Sequence, residues 1–277
     1  MSSFSIDKAV TFRAPATANL MVDSADRNST LNPSAFDFQI TRPNSIMNGF
    51  FTRCGTTEVV LEWSEPNILE GEITLDISGA SVRSQVTTTI ISSFLNVADL
   101  LNLIVEDLSG TNGVALSVVQ TGGYTGISAT GGRFRVVSTP LAVQLGIDLS
   151  PALATQKLIN GFPDLRLYRY LDFVSPTLTY NQDLKDTSTS TYNRDVLCRW
   201  YMAEDQPEAT DAYGFPILMG YESFVRRRIF NPPKQIKWDN NIPVGNLIFQ
   251  VYNDDGELLL PSEPKTNWLM TLQLSEN

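Results

Sequence analysis

The feature that most constrains the fold is a two-residue alternation of apolar and polar side chains, which returns in about nine short runs. In the run FDFQI, residues Phe36, Phe38 and Ile40 alternate with Asp37 and Gln39. A period of two is typical of a strand with one buried face. Because proline, glycine and asparagine punctuate the runs, the pattern predicts an all-β chain, an antiparallel sandwich of two sheets of the jelly-roll kind.

The runs fall into two groups along the chain. FDFQI, TEVVLEW and EITLDIS come early, and we assign all three to the sandwich. The later runs are LRLYRYLDFV, RDVLCRWYMA, YESFVRRRIF, KQIKW, NLIFQVY and NWLMTLQL. The predicted sandwich therefore comprises residues 36–78 and 161–277.

The pattern between the two groups differs. In NVADLLNLIVEDLSG the apolar residues follow helical spacing, with Asn96 as N-cap and Gly110 closing the helix. Thr139 and Pro140 open a second, short helix. The β-rich runs VALSVVQ and RFRVVS lie between the two helices. We therefore expect residues 79–160 to form a small α+β lobe inserted between two strands of the sandwich.

Residues 1–35 are rich in turn-forming side chains, especially in DSADRNSTLNPS. We predict that they form an N-terminal arm outside the sandwich that contacts neighbouring copies. The candidate interface residues in this arm are Phe12, Arg13, Asp26 and Arg27. Because every predicted core strand lies beyond the arm, deleting residues 1–30 should leave the sandwich folded and weaken assembly.

The amino-acid composition disfavours several classes of enzyme and of binding protein. The chain of 277 residues contains no histidine, which disfavours triad hydrolases, most zinc enzymes and most proton shuttles. Its net charge of -10 opposes general nucleic-acid binding. Cys54 and Cys198 are too few for a disulfide framework and are interpreted as reduced thiols. We see neither a secretory signal nor an apolar run long enough for a transmembrane segment, and we predict no metal, no cofactor and no enzymatic activity.

One dense basic patch stands out in this acidic chain. It comprises Arg226, Arg227 and Arg228, which a strand divides between two faces. Arg227 shares a face with Val225 and Ile229 and would point into the core, unless the strand lies at an edge or a carboxylate pairs with it. We favour ion pairing within or between subunits over contact with packaged nucleic acid, and we include all three arginines among the candidate interface residues.

Two acidic features have ordinary explanations. In YNDDGELL, Asp255 and Gly256 predict a tight hairpin turn, because a calcium site needs more oxygen ligands than this segment offers. A carboxylate pair for glycoside hydrolysis stays an alternative, but no motif singles one out. The long segments QDLKDTSTSTYNRD and EDQPEATDAYGFP are candidate contact loops.

Several segments together resemble a known family. They are DSADRN with NPSAFDFQI, TEVVLEWSEPNI, LAVQLGI, SPTLTYNQDLKD, and PVGNLIFQVYNDDGELL with NWLMTLQLSE. Their pattern and order look like the minor capsid (penton) proteins of virophages and polinton-like viruses. The resemblance implies a single jelly roll, sometimes with an inserted domain, of which five copies fill each icosahedral vertex among the major capsid proteins. It also implies an N-terminal arm that orders against neighbouring subunits during assembly.

Three functions stay open at this point. The first is a structural virion protein, a penton subunit that is assembled inside the host cell and located at the capsid vertex. The second is a β-sandwich spike or tail protein that binds a receptor or glycan, with the insertion or its TGGYTGISATGG loop contacting the host. The third is a hydrolase that uses acidic residues. The first two are compatible, because a vertex protein can display a receptor-binding insertion.

Overall fold

The computed structural model describes residues 17–41, 51, 53–179, 196–202, 209–218, 220–237, 245–260 and 266–276. Its strands are β1 Thr17–Asp23, β2 Asp37–Thr41, β3 Arg53–Trp63, β4 Gly71–Ser78, β5 Arg83–Ile90, β6 Ala115–Thr121, β7 Tyr124–Thr130, β8 Arg133–Val136, β9 Gln156–Leu158, β10 Tyr170–Val174, β11 Val196–Tyr201, β12 Phe224–Ile229, β13 Gln235–Lys237, β14 Asn246–Tyr252 and β15 Asn267–Ser275. Its helices are α1 Val97–Leu108, α2 Pro140–Leu145 and α3 Pro176–Thr179.

Two antiparallel sheets form the sandwich. Sheet 1 has the order β1-β15-β3-β12, with β13 also paired to β3, and sheet 2 has the order β11-β10-β14-β2. The first strand, β1, is the neighbour of the last, β15, in sheet 1. The second strand, β2, is the neighbour of the next to last, β14, in sheet 2. Leaving aside the short strand β13, this wrapped order of eight strands is the jelly-roll topology. The predicted all-β jelly-roll sandwich with an inserted α+β lobe is confirmed.

Aromatic side chains from both sheets meet in the centre of the sandwich. The Trp268 ring lies 5.4 Å from that of Phe38, 5.2 Å from that of Phe173 and 5.9 Å from that of Phe249. Its indole Nε1 donates a hydrogen bond of 2.8 Å to the carbonyl oxygen of Ala35. The buried indole is thus both packed and hydrogen-bonded, which is the arrangement that tryptophan needs in a core.

Strand β1 corrects the prediction of an arm that lies wholly outside the sandwich. It pairs with β15 along its whole length, from Thr17 opposite Ser275 to Asp23 opposite Leu269. Val22 is 0% exposed in the sandwich core. From residue 17 onwards the predicted arm is therefore part of sheet 1, and its residue Val22 packs in the core of its own chain. Because a deletion of residues 1–30 would remove β1 from sheet 1, we now expect it to destabilise the sandwich.

The inserted lobe has its own hydrophobic core. Two three-stranded sheets, β5-β4-β8 and β6-β7-β9, enclose it together with the two predicted helices. As predicted, Asn96 caps α1 by accepting a hydrogen bond of 2.9 Å from the Asp99 amide. Thr139 caps α2 by accepting one of 3.2 Å from the Ala142 amide. The local capping signals in the sequence therefore identify both helices correctly.

Strand β4, the run EITLDIS, lies in this lobe and not in the sandwich. It is the central strand between β5 and β8, and Ile73, Leu75 and Ile77 are buried in the lobe core. The boundary predicted at residue 78 is therefore wrong. A period of two identifies a strand and its buried face, but it carries no information about which sheet the strand joins.

A distant segment, residues 209–218 and 220–221, also belongs to the lobe. Asp211 accepts a hydrogen bond of 2.9 Å from the Ala98 amide at the start of α1, and its other carboxylate oxygen accepts from the amides of Tyr213 and Phe215. The Tyr213 hydroxyl donates to the Asn102 side chain. The described half of the predicted contact loop EDQPEATDAYGFP thus packs within its own chain, whereas the loop QDLKDTSTSTYNRD lies outside the described residues.

Replacing Asp211 by alanine is expected to lower the free energy of unfolding by about 1–3 kcal/mol, because three backbone amides lose their acceptor. Asp211→Asn keeps one oxygen acceptor and should cost less. Urea denaturation followed by circular dichroism measures both changes. Asp255→Ala, in the exposed hairpin turn, is the matched control, and an effect of Asp211→Ala no larger than that of the control would contradict the role of Asp211.

Candidate assembly surfaces

The sandwich has two open sides, each formed by one edge strand from each sheet. Strands β1 and β2 end the two sheets on one side, and β12 and β11 end them on the other. We call the first the acidic edge and the second the basic edge, for the side chains described below. An edge strand presents unpaired backbone groups and is a natural place for contacts with another chain.

On the basic edge, β12 exposes one face and turns the other toward sheet 2. Val225 and Ile229 are 69% and 62% exposed. Between them the Arg227 guanidinium forms two hydrogen bonds, 2.6 and 2.9 Å long, with the carboxylate of Glu58 on β3, which raises its pKa. Both conditions that keep Arg227 out of the core are therefore met, because β12 is an edge strand and a carboxylate pairs with the guanidinium.

A cleft of about 370 Å³ opens between β11 and β12. Its lining includes the cations Arg199, Arg228 and Lys234, and no carboxylate is among the described residues that line it. The Arg228 guanidinium lies 5.0 Å from the ring centre of Phe230 and 5.8 Å from that of Tyr201. The cleft therefore combines positive charge with aromatic walls, a combination suited to an anionic group attached to an apolar one.

Two contacts hold the cations of the cleft in place. Lys234 Nζ donates a hydrogen bond of 2.7 Å to the carbonyl oxygen of Val196 on β11, which links the two sheets across the open side. The Arg199 guanidinium pairs with Asp172 at 2.6 and 2.8 Å and lies 3.9 Å from the ring centre of Tyr170. Asp172 raises the pKa of Arg199, so this charge persists at every physiological pH.

The cleft also contains a thiol, that of Cys198. Burial raises its pKa to about 12, and burial likewise raises the pKa of Cys54 to about 12. Both thiols are free. A thiol with such a pKa is protonated at neutral pH and is a poor nucleophile.

On the acidic edge, a turn connects β1 to β2. Arg27 organises this turn by donating to the carbonyl oxygens of Ser24 at 2.7 Å, Asn32 at 3.1 Å and Pro33 at 3.2 Å. Asn32 accepts a hydrogen bond of 3.3 Å from the Gln39 amide, which places the turn along the outer edge of β2. Arg27 therefore has a structural role that the sequence did not indicate.

Three carboxylates and one apolar side chain mark this edge. Asp23 ends β1, Asp26 is exposed in the turn, and Asp37 begins β2. Leu31 projects from the turn and is 76% exposed. Of the predicted interface residues, Asp26 and Arg27 thus lie on the acidic edge and Arg226, Arg227 and Arg228 on the basic edge, whereas Phe12 and Arg13 lie outside the described residues.

Within the described ranges, His, Cys, Asp and Glu side chains form no group of three or more that could hold a metal ion. Among the same residues, no helix has the length and apolar character needed to cross a membrane.

A comparison with known proteins identifies a solved structure with a similar fold. No family model and no curated protein matches the sequence. The crystal structure of the mavirus penton protein matches with a TM-score of 0.52 and 15% identity, covering 96% of this chain and 100% of that one. The chain has the fold of a penton protein. The match extends over nearly the whole chain, lobe and sandwich together, in agreement with the resemblance seen in the sequence.

Proposed function

We propose that the protein is a structural subunit of a virus shell, a penton that assembles as a pentamer at the vertices of an icosahedral capsid. The observation that carries this proposal is the fold: a jelly roll with an inserted lobe that matches a solved penton protein over 96% of the chain. The two open edges of the sandwich support it, because a subunit in a ring needs two contact surfaces.

In this role the protein performs no chemistry. Its partners are further copies of itself and the major capsid protein that surrounds each vertex, and it resides in the virion after assembly inside the host cell. The missing histidines are consistent with a purely structural role. Phe12, Arg13, Asp26, Arg27 and the three arginines of β12 stay candidates for the contacts between subunits.

A second function, recognition of a host receptor or glycan, is favoured by the lobe. The lobe has a hydrophobic core separate from that of the sandwich, so it can vary without loss of the shell-forming part. The predicted TGGYTGISATGG loop is instead the largely buried strand β7 with a turn on each side, and its Tyr124, at the tip of the β6-β7 hairpin, is exposed. An exposed aromatic ring at a hairpin tip suits contact with a sugar or protein surface.

The purified protein is expected to sediment as a closed pentamer with about five times the mass of the 30.7 kDa chain. Sedimentation equilibrium measures the mass, and electron microscopy of shells assembled with the major capsid protein locates it. Rings of another size would argue against the icosahedral vertex, and a chain that stays monomeric and is absent from shells would contradict the penton role.

A further inference from the structure

We propose that the acidic edge of one copy docks on the basic edge of the next, so that one head-to-tail contact repeats around the ring. The inference rests on the proposed ring-forming function and names the two surfaces that form its interface. A contact between two unlike patches of the same chain generates rings, because a subunit that binds one neighbour through its first patch can bind the next copy through its second patch. The two edges lie on opposite sides of the sandwich, as such a contact requires.

Strand register places opposite charges at the same height in sheet 1. Asp23 on β1 lies opposite Leu269, Leu269 lies opposite Val60, and Val60 lies opposite Arg227 on β12. One row of residues across the sheet thus begins with a carboxylate and ends with the Arg227 guanidinium, which also pairs with Glu58 within its own chain. If two copies stand side by side with their strands parallel, this row brings Asp23 of one toward Arg227 of the other.

Sheet 2 repeats the arrangement. Asp37 on β2 lies opposite Gln250, Gln250 lies opposite Val174, and Val174 lies opposite Val196 on β11. The carbonyl oxygen of Val196 accepts the hydrogen bond from Lys234 Nζ, so the cation stands at the end of this row. Both sheets therefore have an acidic start and a basic end, which a rotation axis parallel to the strands would bring together.

The shapes of the two edges match their charges. The turn of the acidic edge projects with exposed Leu31 and Asp26, and the basic edge opens a cleft with aromatic walls and the cations Arg228 and Lys234. An apolar side chain beside a carboxylate is the combination that such a cleft receives. The turn is held by the three Arg27 hydrogen bonds, so little ordering is needed when it docks.

A second copy fits the cleft better than another class of partner. Nucleic acid would be repelled by the overall charge of -10, which still allows a local contact between an acidic and a basic edge. The inward-facing arginines of β12 also discourage simple addition of a foreign strand to this edge, because charged side chains that face inward are a known protection of edge strands.

Charge reversal on each edge tests the proposal in the full-length protein. Arg228→Glu with Lys234→Glu, or Asp26→Lys with Asp37→Lys, is expected to raise the dissociation constant between copies at least about 100-fold, because like charges then face each other. All four substitutions in one chain restore opposite charges and should recover association. Sedimentation gives the dissociation constants, and thermal unfolding shows whether each variant is folded.

Mixing the two single-edge variants provides a readout that does not depend on rescue within one chain. Each variant keeps one native edge, so the mixture should associate although neither variant does alone. Arg133→Glu with Asp255→Lys, which reverses exposed charges away from both edges, is the matched control and should assemble like the unsubstituted protein.

Each outcome separates this proposal from the penton role itself. If the unsubstituted protein forms rings and all edge variants do too, the named interface is wrong and the penton role stands. If the edge variants form rings but fail to enter shells, the edges contact another capsid protein and the proposal is again overturned. If the unsubstituted protein never associates, the result contradicts both the penton role and the proposed interface.

Discussion

Replacing Val22 by aspartate is expected to lower the free energy of unfolding by about 4 kcal/mol or more, because it places an unpaired carboxylate in the sandwich core. Val22 is 0% exposed and lies opposite Met270 in the pairing of β1 with β15. The residues that follow it are anchored too, since the Trp268 amide donates a hydrogen bond of 2.8 Å to the Ser24 hydroxyl.

The neighbouring Met21 supplies a matched control on the same strand. Its side chain is 68% exposed on the outer face of sheet 1, so Met21→Asp should cost less than about 1 kcal/mol. Chemical denaturation of both variants, followed by tryptophan fluorescence, gives the comparison. Equal and small effects would mean that β1 is not part of the folded sandwich, and the prediction of a detachable arm would then be restored for residues 17–35.

The error over β1 has a physical cause. In TANLMVD the inward positions hold Ala18, Leu20 and Val22, and only the last is fully buried. An edge strand is paired with another strand on one side only, so fewer of its inward side chains need to be large and apolar. Its alternating pattern is therefore weak, and the polar turn beside it masks it. Central strands such as β15, where Trp268 and Met270 are buried, were recognised correctly.

The lobe shows which interactions a sequence can reveal. The caps of α1 and α2 are contacts between residues three positions apart, and the sequence predicts both. Asp211 contacts Ala98 from 113 positions away, and no local pattern announces such a pair. The aromatic residues of the predicted contact loop, Tyr213 and Phe215, are a usable hint, because a solvent-exposed loop has little reason to carry two of them.

The candidate assembly surfaces, too, are predictable from the sequence only in part. The sequence identified the arginines of β12 as a basic patch, and the jelly-roll resemblance implied contacts between subunits. The cleft beside Arg228 could not be predicted, because it depends on β11 and β12 lying at the same side of two different sheets. The position of Asp23 and Arg227 in one row of sheet 1 likewise depends on the register of four strands, which is set by tertiary pairing.

A fragment cut at the boundaries predicted from the sequence, residues 79–160, is expected to be unfolded. It lacks β4, the central strand of the β5-β4-β8 sheet, and with it the buried side chains of Ile73, Leu75 and Ile77. Each large buried side chain contributes about 1.5–3 kcal/mol, so their loss alone is comparable to the whole stability of a small domain.

The longer fragment 66–166 restores β4 and should unfold cooperatively. It also contains Asn67, whose side chain donates to the carbonyl oxygens of Leu95 and Leu165 and so ties the two ends of the lobe together. Because it lacks residues 209–221, it should be less stable than the same lobe in the whole chain, in which Asp211 and the Tyr221 hydroxyl bond to it. Thermal unfolding followed by circular dichroism compares the two fragments. A cooperative transition in 79–160 as sharp as that of 66–166 would mean that β4 is dispensable, and the boundary first predicted at residue 78 would then describe the lobe better than its strand pairing does.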